Sequence, residues 1–176
     1  MSRDDVPAAD VAQLQEHAKR PRTPIAGPYG HPFHPIIVTI PIGTWLASVV
    51  FDIVALCGVE PRAFALTSQW LIAIGVIGAV MAACVGLIDL SGIPARTRAK
   101  RTGLRHLTFN TIALILFVVS FIVRAVEGPH PSVAGFVLSV IGLIVVGVSG
   151  FLGGELAYRY GVRVADEETQ RAGYYG

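Results

Sequence analysis

Charged side chains are scarce in this chain: Asp, Glu, Lys and Arg make up 15% of its 176 residues, against about 25% in soluble domains. That shortage excludes an ordinary water-soluble globule, and it equally excludes a highly charged disordered chain. Cysteine is nearly absent. Cys57 and Cys84 are the only two, too few for a framework of bridges. Cys84 falls about 22 Å into its apolar run by helical rise, far from the run's end, whereas Cys57 falls near an end; a redox dithiol is therefore not expected. The P-loop, GxGxxG, GxSxG and HExxH patterns are missing, as are a paired ExxH for di-iron and CxxCH for covalent haem. With no catalytic motif, nothing in the sequence points to an enzyme. The first thirty-odd residues lack the apolar core of a signal peptide and carry Asp4, Asp5, Asp10 and Glu16.

What the chain has is apolar length. Hydrophobic residues make up 53% of it, the mean hydropathy is +0.61, and four runs cover about 36–59, 70–93, 107–126 and 133–152. Each matches the roughly 20 helical residues needed to cross about 30 Å of hydrocarbon. Helix is the open-ended structure that satisfies its own backbone in lipid. The connections are short and hold breakers, at Val59-Glu60-Pro61, Ser91-Gly92-Ile93-Pro94 and Gly128-Pro129-His130-Pro131. Short loops make neighbours antiparallel. The expected fold is all-α: a polytopic, antiparallel four-helix transmembrane bundle over residues 31–164, flanked by a polar arm at 1–30 and a tail at 165–176. Residues 7–19 could form a surface helix, and 21–35, dense in Pro and Gly, reads as extended. No repeat motif and no coiled-coil pattern is evident.

Positive charge sets the orientation. Twelve of the fourteen Lys and Arg residues precede span one, lie between spans two and three or follow span four; Arg62 and Arg124 are the other two. The positive-inside rule then puts both termini and the central loop in the cytoplasm. The basic loop Arg96–Arg101 has the composition of a nucleic-acid patch, but between two spans it reads as a topology signal and an anionic-lipid contact, so no nucleic-acid partner is expected.

Small residues mark the packing faces. Gly78, Ala82 and Gly86 repeat every four residues in span two, and Gly135, Ser139, Gly142, Ser149 and Gly153 line span four. Membrane helices approach through such stripes. The favoured reading is packing within the bundle, with homodimerisation through the Gly150–Gly154 pair of span four as the alternative. Trp70 sits where an interfacial belt is expected, and Trp45 reads as a bundle residue.

An ionisable side chain at a span centre costs about 2.5–3.5 kcal/mol and so needs a partner or a task. His34 to Asp52 and His106 to Arg124 are equal steps along spans one and three, each a climb of about 27 Å. Asp52 and Arg124 therefore reach similar depth and form a candidate structural ion pair. At the inner level, His31 and His34 open span one, and His106 opens span three with Asn110 one turn deeper. Asp89 ends span two, and Glu155 follows span four. Imidazoles and carboxylates of this kind could bind a first-row transition metal, and two imidazoles could ligate a b-type haem. The competing reading makes them polar caps at the water boundary. A proton or ion pathway is a further reading, weakened by the lack of a polar chain from this cluster to Asp52. His17 and His130 read as surface residues.

The run Gly30-His31-Pro32-Phe33-His34-Pro35, then Arg105-His106 with Asn110, then Gly153-Gly154-Glu155-Leu156-Ala157-Tyr158-Arg159-Tyr160-Gly161-Val162 carries a resemblance. It resembles the bacterial membrane-protein family catalogued as domain of unknown function 2231, over roughly residues 29–164. That family places an HPxHP-like element before the first of four spans and a Gly-Gly…Tyr-x-x-Gly-Val ending after the last. Some relatives are fused to Rieske-type iron–sulfur or cytochrome-like domains. The resemblance thus implies a bacterial-type plasma (inner) membrane location and an association with electron transfer, with a membrane or iron–sulfur protein as partner. This chain itself has no CxH…CxxH set. The expectation is a small redox-associated subunit holding haem b or a metal through His34 and His106 first, with His31, Asp89 and Glu155 as further ligands. The alternative is a non-catalytic membrane anchor or assembly partner.

Overall fold

The computed structural model describes residues 8–28 and 31–175, and all regular structure among them is helical. Arg3, Asp4, Asp5 and Gly30, to which the sequence reading assigned places, lie outside the described residues. Four helical segments are long and apolar enough to cross a membrane: Phe33–Leu56, Pro61–Gly92, Arg98–Glu127 and Val133–Arg159. The chain is a multi-pass membrane protein with a bilayer as its surroundings. Its elements are α1 (Ala8–Lys19), α2 (Phe33–Ile37), α3 (Thr39–Leu56), α4 (Pro61–Gly92), α5 (Arg98–Glu127), α6 (Val133–Gly154) and α7 (Glu167–Ala172).

Local chemistry explains where these helices begin and bend. The segment with two prolines around His34 looked irregular in sequence, yet α2 starts at Phe33. Pro35 falls in the first turn, where its missing N–H would have had no helical partner. Pro41 is different, because its ring opposes the Ile37 carbonyl four residues back, and α2 gives way to α3 at that point. The helix α4 begins nine residues ahead of the apolar run, with Pro61 as its first residue. The helix α5 likewise begins at Arg98, where the Thr97 hydroxyl accepts from the Lys100 N–H at 3.0 Å. Hydropathy marks the hydrocarbon, whereas these two helices begin beyond it, at a proline and at a threonine cap.

The bundle consists of two hairpins, α3 with α4 and α5 with α6, which meet along α4–α5 and α3–α6. Its basic end carries the α4–α5 loop and both ends of the described chain. There Ala18 of α1 packs with Ile93 and Val162, flanked by Leu90, Ala99, Leu156 and Tyr160. The middle is held by Trp45, Ile72 and Phe117. Trp70 faces outward at 69% exposure. Glycines allow the close approach: a Cβ on Gly78 would come within 2.7 Å of Ile40, and one on Gly142 within 2.7 Å of Phe117.

Candidate functional site

The first and third spans, α2 with α3 and α5, lie on a diagonal of the bundle and touch through long side chains at three levels. At the basic end the His34 and His106 rings lie edge to face, with centroids 6.2 Å apart and planes at 82°. In the middle, Trp45 stacks on Phe117 at 4.0 Å and 8°, and its indole N–H points at the Ile72 carbonyl at 3.4 Å. At the far end Arg124 grips Asp52 with two parallel bonds of 2.7 Å each. Ser120 and Ser139 hydroxyls accept from the same guanidinium at 3.2 and 3.3 Å.

The two imidazoles are held alike. His34 Nδ1 lies 2.9 Å from the Ala82 carbonyl oxygen on α4. His106 Nδ1 lies 2.8 Å from the Ser149 carbonyl oxygen on α6, with the Ser149 hydroxyl 3.0 Å away. A carbonyl only accepts, so each Nδ1 carries a proton and, in the neutral ring, Nε2 carries the lone pair. His106 Nε2 accepts from the Asn110 amide one turn along α5, at 2.9 Å. Glycine supplies the space beneath each ring. A methyl at Gly86 would approach His34 to 2.9 Å, and one at Gly153 would approach His106 to 3.1 Å.

The remaining residues singled out in the sequence do not join this pair. His31 is exposed. Asp89 lies 2.9 Å from Arg163, both largely buried. Glu155 pairs along its own helical turn with Arg159 at 2.7 Å. Among the described residues no group of three His, Cys, Asp or Glu side chains could hold a metal ion. The set His31, His34, His106, Asp89 and Glu155 is therefore not one cluster, because each carboxylate is drawn to an arginine. Cys57 and Cys84 are separate and exposed. His17 and His130 are exposed as well.

Arg163 was legible in sequence only as a topological charge, yet it ties four segments together. Its guanidinium meets Asp89 on α4 and donates to the Ala26 and Gly27 carbonyls at 2.9 and 3.2 Å. Its backbone N–H donates to the Ala18 carbonyl at 3.2 Å, from a left-handed conformation at φ +59°. The Asp89 contact is an ion pair by distance without an aligned hydrogen bond. The carbonyl bonds are what fix the polar arm on the basic end. Changing Arg163 to Gln leaves Asp89 unpaired and should loosen the arm by about 1–3 kcal/mol. Limited proteolysis of detergent-solubilised protein checks this: cleavage between residues 19 and 22 should accelerate, and an unchanged rate would assign the docking to α1 alone.

The chain belongs to the family described as Predicted membrane protein (DUF2231), whose profile matches residues 30–166. No curated protein and no solved structure matches it.

Proposed function

We propose that this four-span member of the family is a small redox-associated membrane subunit that holds haem b, or a first-row metal, between His34 and His106. The observation that carries this reading is the common state of the two rings: each Nδ1–H is pinned to a helix carbonyl, and the centroids are 6.2 Å apart. Histidine ligands ordinarily give their other N–H to a carbonyl or carboxylate, which fixes tautomer and ring direction. With each Nδ1–H on a carbonyl, the Nε2 atoms are the nitrogens that would hold such a group. With no third His, Cys, Asp or Glu beside them among the described residues, His34 and His106 would suit a haem better than a bare ion. When bound, such a group supplies one-electron transfer.

The chain's own residues do the positioning. The Ala82 and Ser149 carbonyls orient the rings, Gly86 and Gly153 leave them room, and the Asn110 amide holds the His106 lone pair until a ligand takes it. The positive-inside rule supports a cytoplasmic position for this end and both termini, in a bacterial-type inner membrane. An electron-transfer partner, membrane-bound or iron–sulfur, would then dock there.

A reduced-minus-oxidised visible spectrum with elemental analysis of the purified protein tests the reading. A stoichiometric haem band or metal is expected, and His34→Ala and His106→Ala should each abolish it while the protein stays folded in the membrane. A featureless, metal-free sample that is demonstrably folded would return both imidazoles to helix packing. The second reading, a non-catalytic anchor or assembly partner, is favoured by Gly147 and Gly150, which leave open space on α6 beside Phe151 at 76% exposure. It predicts that Gly150→Leu with Gly154→Leu disrupts a complex in a chain without cofactor.

A further inference from the structure

The two hairpins match at their histidine, aromatic and glycine contacts. His34, Trp45, Ser48 and Asp52 each stand 72 positions before His106, Phe117, Ser120 and Arg124. Gly75, Ala82 and Gly86 each stand 67 positions before Gly142, Ser149 and Gly153. In both hairpins the histidine Nδ1 reaches a carbonyl on the second helix, at Ala82 and at Ser149. In both, the aromatic ring covers a glycine, Gly75 under Trp45 and Gly142 under Phe117, and the imidazole covers another, Gly86 and Gly153. The offset changes between the helices because α6 starts closer to its matched contacts than α4 does, Val133 standing nine positions before Gly142 and Pro61 fourteen before Gly75, so no single period runs through the sequence. That is why no repeat motif is visible there.

We infer that the bundle is two copies of one helical hairpin around a two-fold axis along the spans, and that the hairpin–hairpin face recognises the complementary hairpin of a second copy of this chain as it does its own. Parallel repeats of this kind, with the axis along the membrane normal, are a known way to build membrane bundles. Asp52 and Arg124 occupy equivalent places with opposite charge, so two like hairpins would bury two carboxylates or two guanidiniums against each other. That repulsion selects the unlike pairing. Ser48 precedes Asp52 by one turn as Ser120 precedes Arg124, so a reversed pair finds a hydroxyl in the equivalent position. The linker between the hairpins, residues 93–97, holds Arg96 in the left-handed region at φ +62°. Opening that linker releases the strain and lets hairpins exchange between copies.

Two differently tagged full-length chains, one Asp52→Arg and one Arg124→Asp, test this in one host membrane. Expressed alone, each should yield at least several-fold less folded protein than the wild type, because its own hairpins bear like charges. Expressed together, they should co-purify through either tag and recover most of the wild-type yield, since each hairpin finds its complement in the other chain. The double variant Asp52→Arg/Arg124→Asp in a single chain should accumulate like the wild type. Failure of this reversed chain would overturn the equivalence of the hairpins. Normal accumulation of either single variant alone would remove the charge pair as the selector. A reversed chain that folds, with co-expressed single variants that neither co-purify nor recover, would sink recognition between copies.

Discussion

Arg124→Met should destabilise the folded protein by about 3–5 kcal/mol, the cost of leaving one member of a buried ion pair without its partner. Arg124 and Asp52 are exposed by only 3% and 4%, and they meet through two bonds of 2.7 Å. Removing the guanidinium leaves the Asp52 carboxylate to be neutralised or to draw in water, and it also empties the site between the Ser120 and Ser139 hydroxyls. The double variant Asp52→Leu/Arg124→Met should recover much of the loss, because removing both charges also removes their desolvation penalty. Equilibrium unfolding in mixed detergent micelles measures both. A loss below about 1 kcal/mol for the single variant would mean that water reaches the pair and screens it as at a surface.

Gly75→Ala should cost about 1–3 kcal/mol, and it tests whether the middle of the bundle is as closely packed as its contacts indicate. A Cβ on Gly75 would fall on the Trp45 indole. That ring is buried and stacked on Phe117, so it has nowhere to turn without breaking the stack. Gly142→Ala, on the other hairpin, should act in the same direction through Phe117. Gly150→Ala is the internal control: its Cβ meets nothing within 4 Å, and an effect within about 0.5 kcal/mol is expected of the monomer. Equal effects at Gly75 and Gly150 would mean that helix propensity, not contact with Trp45, governs both.

Particular residues show how far the site could be read in advance. The equal steps from His34 to Asp52 and from His106 to Arg124 follow from helical rise alone, and they set the two charges at one depth. Helical rise says nothing about azimuth, however. It could not say that α3 and α5 face each other along a diagonal with Trp45 on Phe117 between the two pairs. Nor could composition assign Asp89, which ends α4 at the same level as the histidines but is held by Arg163, 74 positions further on. Glu155 was assigned to the cluster by level alone, and its helical turn gives it to Arg159.

The sequence by itself determined the solvent, the number of crossings, the all-helical class and the end at which basic residues collect. These depend on the length of apolar runs and on charge counts, which are properties of the chain read locally. Tertiary structure decided which polar groups meet, where the helices begin beyond the hydrocarbon, and that the two hairpins repeat one unit. Those outcomes depend on the rotation of each helix about its own axis, and that rotation is fixed by glycines receiving rings and by arginines reaching carboxylates on other helices.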